Sequence, residues 1–338
     1  MTIQITIIGL GQVGGSIGLA LAEHKENVKR VGHDKDPEIA RAAMKAGAVD
    51  GISFNLPASV EQADIIVLAM PLNEVRDTLR YIRDDLKEGA VVLDTSPAKQ
   101  QVEAWVQELL PHSSHYIGLA PAINPDYLKE TGGGLDAAHA DLFKDAAFLL
   151  CPARGAPEDV ARLGEDFVLM LGAKPLFSDA AEVDGLLASM LTLPKLLTIS
   201  LVDVTAGKPG WKDAGNLAER SYAAMTASTF DRDEADGLRD AALANRVNVI
   251  RVLDGTIASL LEMRDAIERE DRAALGKQIH AAYEKGYAWL SERHLEKYLP
   301  TYKKANTDKG RTSPSLGGRV RQLFLGNLRL PGSNSDKK

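Results

Sequence analysis

Along the first 178 positions the apolar residues fall into short continuous runs, separated by longer amphipathic stretches. Runs at 3–8, 28–32, 65–69, 90–93, 115–119 and 147–151 each have the length of a buried strand. Most are apolar throughout rather than alternating, which suits a parallel sheet covered on both faces. Helical periodicity separates the first four runs. The pattern therefore predicts repeated βαβ units and an α/β fold, a doubly wound, mostly parallel Rossmann-type sheet. Residues 174–177 fit a last strand. After Asp179 the strand signal ends. Residues 180–205 predict one long apolar helix. Residues 234–268 predict a second, with Arg239, Arg246, Glu262 and Arg264 on its polar face, and 271–298 a third.

This organisation divides the chain into a nucleotide-binding unit at 1–178, an all-helical unit at 179–300 and a tail at 301–338. The tail holds nine Lys or Arg against two Asp, with recurrent Gly, Ser, Asn and Pro. It reads as a solvated basic tail, within which 320–325 could dock onto the body or another subunit. A length of 338 residues suits two domains, and a formal net charge of −7 argues against a general nucleic-acid binder. The single cysteine, Cys151, forbids an internal disulfide and suits a reducing cytoplasm. Its apolar surroundings predict a buried structural thiol. No stretch reads as a signal peptide. The longest apolar stretch, 186–206, is interrupted by Pro194, Lys195 and Asp203. It is expected to be a buried helix rather than a membrane span.

The first run leads directly into Gly9-Leu10-Gly11-Gln12-Val13-Gly14 and then an apolar helical pattern. In this context Gly9 permits the tight turn and Gly11 lets the backbone approach a pyrophosphate. Gly14 lets the helix pack closely on the strand, with its N-terminus facing the phosphates. Asp34, at the end of the second run, stands where an acid accepts hydrogen bonds from the adenosine ribose. A carboxylate there repels a 2′-phosphate, so NAD is expected and NADP disfavoured, Lys35 being the one nearby cation that could relax the choice. Met70 and Pro71 follow the third run; Asp94, Ser96 and Lys99 follow the fourth. All lie at C-terminal strand ends, where open α/β sheets bind ligands. For the last three, helix capping and a solvated lysine remain an alternative. His33 reads as an ordinary strand-end residue and His115 as a surface residue at the far edge of the sheet. No metal is expected.

With these pieces in place, the chain resembles the prephenate/arogenate dehydrogenase family of tyrosine biosynthesis over roughly residues 3–295. The resemblance rests on the glycine loop followed by Gly15-Ser16, on Gly32-His33-Asp34-Lys35-Asp36-Pro37, on Val67-Leu68-Ala69-Met70-Pro71 and on Asp94 to Lys99. It continues in Asp141-Leu142-Phe143-Lys144, Leu171-Gly172-Ala173, Leu193-Pro194 and the stretch from Arg239 to Arg246. It implies a homodimer through the helical unit, a substrate cleft between the units and a small carboxylate substrate. The family's catalytic pattern is altered. Its Gly-Gly-His-Pro motif reads Gly118-Leu119-Ala120-Pro121, and its serine aligns with Pro97, or with Ser96 if the loop shifts by one. Its His-Asp pair reads Val183-Asp184, and its His-Leu-Pro-His reads Thr192-Leu193-Pro194-Lys195. The Thr-Arg carboxylate motif has no clear match near Arg220, Met225 and Thr226.

The resulting expectation is an NAD-dependent oxidoreductase resembling prephenate/arogenate dehydrogenase. Lys195, Ser96, Lys99 and Asn124 are its candidate catalytic residues. Lys195 and Lys99 are the candidate substitutes for the absent histidine, as desolvated lysines. Two alternatives stay open: the same fold acting on another hydroxy acid or imine, and a catalytically silent NAD-binding regulatory protein.

Overall fold

The computed structural model describes residues 2–229 and 234–294. Its first half alternates strand and helix: β1 (Ile3–Ile8), α1 (Gln12–Ala20), β2 (Val28–His33), α2 (Pro37–Lys45), β3 (Gly51–Ile52), α3 (Leu56–Val60), β4 (Ile65–Leu68), α4 (Leu72–Ile82), β5 (Val91–Asp94), α5 (Lys99–Leu109), β6 (His115–Pro121), β7 (Ala147–Pro152), α6 (Glu158–Met170) and β8 (Lys174–Phe177). The described strands form one eight-stranded sheet in the order β3-β2-β1-β4-β5-β6-β7-β8. Every neighbouring pair is parallel except β6 and β7. The order reverses at β1, which lies between β2 and β4, and the crevice at that switch point is where such sheets take ligands.

The strands are apolar on both faces because both faces are covered. Ile5 and Ile7 pack with Ile17, Leu21 and Phe148 in one buried cluster. Ile66 and Leu68 pack with Val75, Leu79 and Val102 in another. Each such side chain stabilises the fold by roughly 1.5–3 kcal/mol. The expected strands all form, with ends shifted by a residue or two. The structure adds β3, whose two residues are too few to give a sequence pattern.

After β8 the described elements are helical: α7 (Ala180–Leu187), α8 (Leu193–Thr205), α9 (Trp211–Asn216), α10 (Arg220–Thr226), α11 (Glu234–Ala244), α12 (Arg246–Glu268) and α13 (Arg272–His294). Two expectations need correction. Residues 180–205 are not one regular helix, because a π-helical stretch, Ala188–Thr192, joins α7 to α8. Pro194 supplies a reason: it offers no N–H and its ring excludes the carbonyl four residues back, so the turn before it widens. Nor is this stretch a buried helix within one chain. It is long and apolar enough to cross a membrane by length and composition, yet 17% of its most apolar window is buried. Residues 234–268 are likewise two helices. Asn245, at φ −105° and ψ 30°, breaks them, and its side-chain amide donates to the Asp184 carbonyl at 2.7 Å. The third expected helix ends, as described, at His294; 295–298 and the basic tail at 301–338 lie outside the described residues.

Candidate active site

The glycine loop is built as its spacing requires. Gly9 has φ +88°, and a Cβ there would lie 2.3 Å from the Ala69 carbonyl oxygen. A Cβ on Gly14 would lie 1.9 Å from the Gly9 carbonyl oxygen. These two glycines are therefore demanded by the fold itself. Gly11 differs, since a Cβ on it would meet nothing nearer than the Gly134 Cα at 4.0 Å. It is the N-cap of α1, and no side chain caps that helix end. The free amides of the first turn, which includes Gln12, Val13 and Gly14, thus face an open space that a phosphate suits.

Asp34 lies beside this cradle. Its Oδ2 accepts from the Leu10 amide at 2.8 Å and its Oδ1 from the Asp36 amide at 2.9 Å. The carboxylate is held in place with lone pairs remaining for a ribose diol. Lys35 Nζ donates to Glu74 Oε1 at 2.7 Å, so its charge is matched by an acid rather than left for a 2′-phosphate. His33 bonds the Ser53 carbonyl at 2.8 Å, as an ordinary strand-end residue does.

The segment between β6 and β7 folds over the same cradle, which the sequence pattern did not reveal. Leu135 and Ala138 stand against Gly15, where a Cβ would come within 2.9 and 3.0 Å of them. The His139 amide donates to Ser16 Oγ at 3.0 Å. The His139 ring stacks on Tyr127 at 4.2 Å and bonds Glu130 at 2.9 Å. The available signal was the run Gly132-Gly133-Gly134, whose last member has φ +67° and lies nearest Gly11.

The loops after β4 and β5 complete the edge. Met70 is half-buried and its sulfur accepts from Thr78 Oγ1 at 3.4 Å. Pro71 caps α4 and stands against Gly237 of α11, where a Cβ would lie 2.7 Å from Pro71 Cβ. Asp94 and Lys99 are both fully buried. Lys99 Nζ donates to Asp94 Oδ2 at 3.0 Å and to the Asp94 carbonyl at 2.8 Å. Tyr116 Oη adds a third donor to Asp94, at 3.3 Å; burial, and then the Asp94 charge, push that phenol well above its usual range. This corrects two expectations. Asp94 is committed to Lys99 rather than presented to a cofactor, and Lys99 is an enclosed ion-pair partner rather than an available base. Gly118 makes the arrangement possible, since a Cβ there would lie 2.8 Å from Lys99 Cδ.

Asp184 of α7 joins the same network. Its carboxylate accepts from the Lys99 amide at 2.6 Å and the Gln100 amide at 3.1 Å. A carboxylate from the helical half thus caps α5, a role the sequence had suggested for Ser96 or Asp94. Burial pushes the Asp184 carboxyl up, while these amide bonds pull it back. Ser96 itself is 2% exposed, and its hydroxyl is buried without a hydrogen-bond partner.

The other two catalytic candidates have structural partners. Asn124 Oδ1 accepts from the Asp126 amide at 3.1 Å, shaping the turn Pro125–Tyr127. Lys195 Nζ is paired with Glu234 at the start of α11, with 28% of its side chain exposed. It is not the desolvated, unpaired lysine that its apolar neighbours suggested, because the fold brings an acid 39 positions away onto it. Arg220 is exposed on α10.

Residues 17–175 match the family model for the prephenate dehydrogenase nucleotide-binding domain. The chain is 23% identical over 293 residues to a prephenate dehydrogenase of Bacillus subtilis, covering 82% of this chain and 74% of that protein. It is 26% identical over 268 residues to a cyclohexadienyl dehydrogenase of Zymomonas mobilis, covering 79% and 89%. The nucleotide-binding half of the chain is therefore similar to that of the prephenate dehydrogenase family. The fold agrees. The A. aeolicus prephenate dehydrogenase solved with hydroxyphenyl propionate and NAD+ superposes with a TM-score of 0.73 at 21% identity, covering 85% of this chain and 98% of that one. A Synechocystis arogenate dehydrogenase gives 0.62 at 20% identity, covering 85% and 100%.

Beyond the Lys99–Asp94 network, the wall beside β6 is apolar. Ala120, Cys151 and Val183 form one buried apolar cluster, with Leu149 and Leu187 packed against it. Ala120 and Val183 are two of the positions at which the family resemblance calls for histidine. The structure places them together, so the two altered positions share one apolar wall. Cys151 belongs to that wall as the buried thiol expected from sequence, and burial pushes it from 9.0 up to about 12.

Proposed function

We propose that this protein is an NAD-dependent dehydrogenase that oxidatively decarboxylates prephenate or the closely related arogenate. The observation that carries the reading is the intact nucleotide cradle at the sheet's switch point, on a chain whose nucleotide-binding half is similar to that family's. NAD supplies the hydride acceptor when bound. Gly11 and the α1 amides would hold its pyrophosphate and Asp34 its ribose, while Met70 and Pro71 lie along the crevice. The Lys35–Glu74 pair supports NAD over NADP.

The apolar wall is compatible with this chemistry. When the ring carbon gives up hydride and CO2 leaves, the ring hydroxyl becomes a phenol and keeps its proton. The site must therefore stabilise that hydroxyl while the carbon is electron-poor, but it need not remove the proton for good. Ser96 is the residue we assign to this task. Its hydroxyl lacks a protein partner, and a shift of the loop that encloses it would let it accept a hydrogen bond from the substrate. Asp94, Lys99 and Asp184 hold its loop: the Ser96 amide donates to Asp94 Oδ1 at 3.0 Å.

The reading divides the chain near residue 178 into a nucleotide-binding and a helical unit, the latter forming a homodimer. Support for the dimer comes from the exposed apolar surface of the helices, including Met190 at 74%, Leu243 at 66% and Val247 at 73%. A surface of this kind calls for a protein partner, and a second copy presents the same one. A reducing, cytoplasmic setting suits its free, buried Cys151.

The test is NADH formation by purified protein with NAD and prephenate, beside arogenate and no-substrate controls. Substrate-dependent reduction that falls strongly in Ser96→Ala is the expected result. Absence of reduction with either substrate, in protein shown separately to bind NAD, would refute it.

A further inference from the structure

We infer that Arg293, near the end of α13, binds a carboxylate of the substrate. The last turn of α13 leaves the helical half and meets the chain just beyond β6, at Ile123 and the turn Pro125–Tyr127. Arg293 Nη2 donates there to the Ile123 carbonyl at 2.9 Å. Ile123 follows closely on Ala120 and Pro121, at the C-terminal edge of the sheet. It lies in the segment between β6 and β7 that also folds over the nucleotide cradle, through the Tyr127–His139 stack and the His139 amide on Ser16. Arg293 therefore stands where the helical half meets that segment.

Its electrostatic setting is unusual for a surface arginine. The side chain is half-buried, and that burial holds its pKa below the ordinary arginine range, with no acid contributing the opposite effect. Among the described residues no carboxylate pairs with it, although Glu292 precedes it in the chain and Asp126 lies in the turn that α13 meets. Arg30, Arg76 and Arg239 have acids in Asp50, Glu108 and Asp236, and arginines with no such pair among the described residues, such as Arg246 and Arg251, are exposed rather than half-buried. A guanidinium carries five N–H donors, and here the described contacts use one. A partly desolvated cation with its donor fork unfilled is costly unless an anion arrives to fill it. A planar carboxylate matches that fork, and the family's own Thr-Arg carboxylate motif has no clear counterpart in this sequence. The assignment rests on the reading of the substrate as a carboxylate given above.

Steady-state kinetics of Arg293→Gln and Arg293→Lys test it. The Gln variant should raise the KM for prephenate about 100-fold while leaving the KM for NAD unchanged. The Lys variant, which keeps the charge but loses the fork, should fall between it and the wild type. An unchanged prephenate KM in both variants would overturn the assignment. So would a rise confined to NAD, which would give the guanidinium to a cofactor phosphate. If the wild type makes no NADH from prephenate, calorimetric binding of hydroxyphenyl propionate to the NAD-loaded protein separates the two readings. Binding by the wild type that is lost in Arg293→Gln sustains the carboxylate site although the prephenate reading fails. Equal binding by both, or binding by neither, overturns the site as well.

Discussion

Replacing Lys99 by methionine removes a charge from the centre of the protein without removing much volume. Lys99 and Asp94 are both fully buried and 3.0 Å apart. At that distance, with an effective permittivity of about 20, their attraction is roughly 5–6 kcal/mol. Much of this offsets the cost of taking both charges out of water. The loss on removing one partner is therefore better taken as about 3–5 kcal/mol, the cost of leaving a buried carboxylate uncompensated. Tyr116 and the Ser96 amide would still bond Asp94, but they bring no full charge. Lys99→Met should accordingly lower the unfolding free energy by about 3–5 kcal/mol in equilibrium urea denaturation. The corresponding fall in Tm is roughly 6–20 °C, at about 2–4 °C for each kcal/mol in a domain of this size. Adding Asp94→Asn removes the orphaned charge and should bring the total loss down to about 1–2 kcal/mol. Gly118→Ala should act in the same direction as Lys99→Met by pushing the lysine stem out of place. A loss below about 1 kcal/mol in Lys99→Met, or a double variant less stable than the single one, would refute the argument.

The two glycines of the nucleotide loop should separate by phenotype. Gly11→Ala should leave Tm unchanged while weakening NAD binding about tenfold or more in a fluorescence titration, because its Cβ enters the phosphate space. Gly14→Ala should lower Tm sharply, its Cβ colliding with the Gly9 carbonyl. With its thiol pushed up to about 12 from the usual 9.0, Cys151 should react with iodoacetamide at pH 8 about 1,000-fold more slowly in the folded than in the urea-unfolded chain. The same shift sets an alkaline limit. The unfolded chain loses the thiol proton first, so this contribution is full below about pH 9 and is lost between 9 and 12. Urea unfolding across that window should show stability falling with pH, and Cys151→Ala should flatten the slope. Val247→Glu puts a charge on the exposed apolar face of the helical half. Sedimentation equilibrium should then show a monomer where the wild type is a dimer, and an unchanged mass would argue against that face as the interface.

Periodicity and local chemistry determined what depends on neighbours along the chain. Continuous apolar runs at 3–8 and 65–69 revealed a sheet covered on both faces, because a parallel strand must be apolar on each side. Gly9, Gly11 and Gly14 identified the nucleotide loop, because close backbone approach leaves no room for other residues at Gly9 and Gly14. Tertiary structure decided the matters that depend on residues distant in sequence. Lys195 looked unpaired until the fold set Glu234 beside it. Lys99 looked available until Asp94 enclosed it, and α5 took its cap from Asp184, 85 positions away. Ala120 and Val183 read as separate losses from a family pattern, yet in space they form one apolar wall with Cys151. The apolar stretch 180–205 looked like core and proved to be mostly surface. A hydrophobic pattern records that a face must be covered, but not whether its own chain or another supplies the cover. Charges, likewise, take their chemistry from whatever the fold packs against them, which spacing along the chain cannot encode.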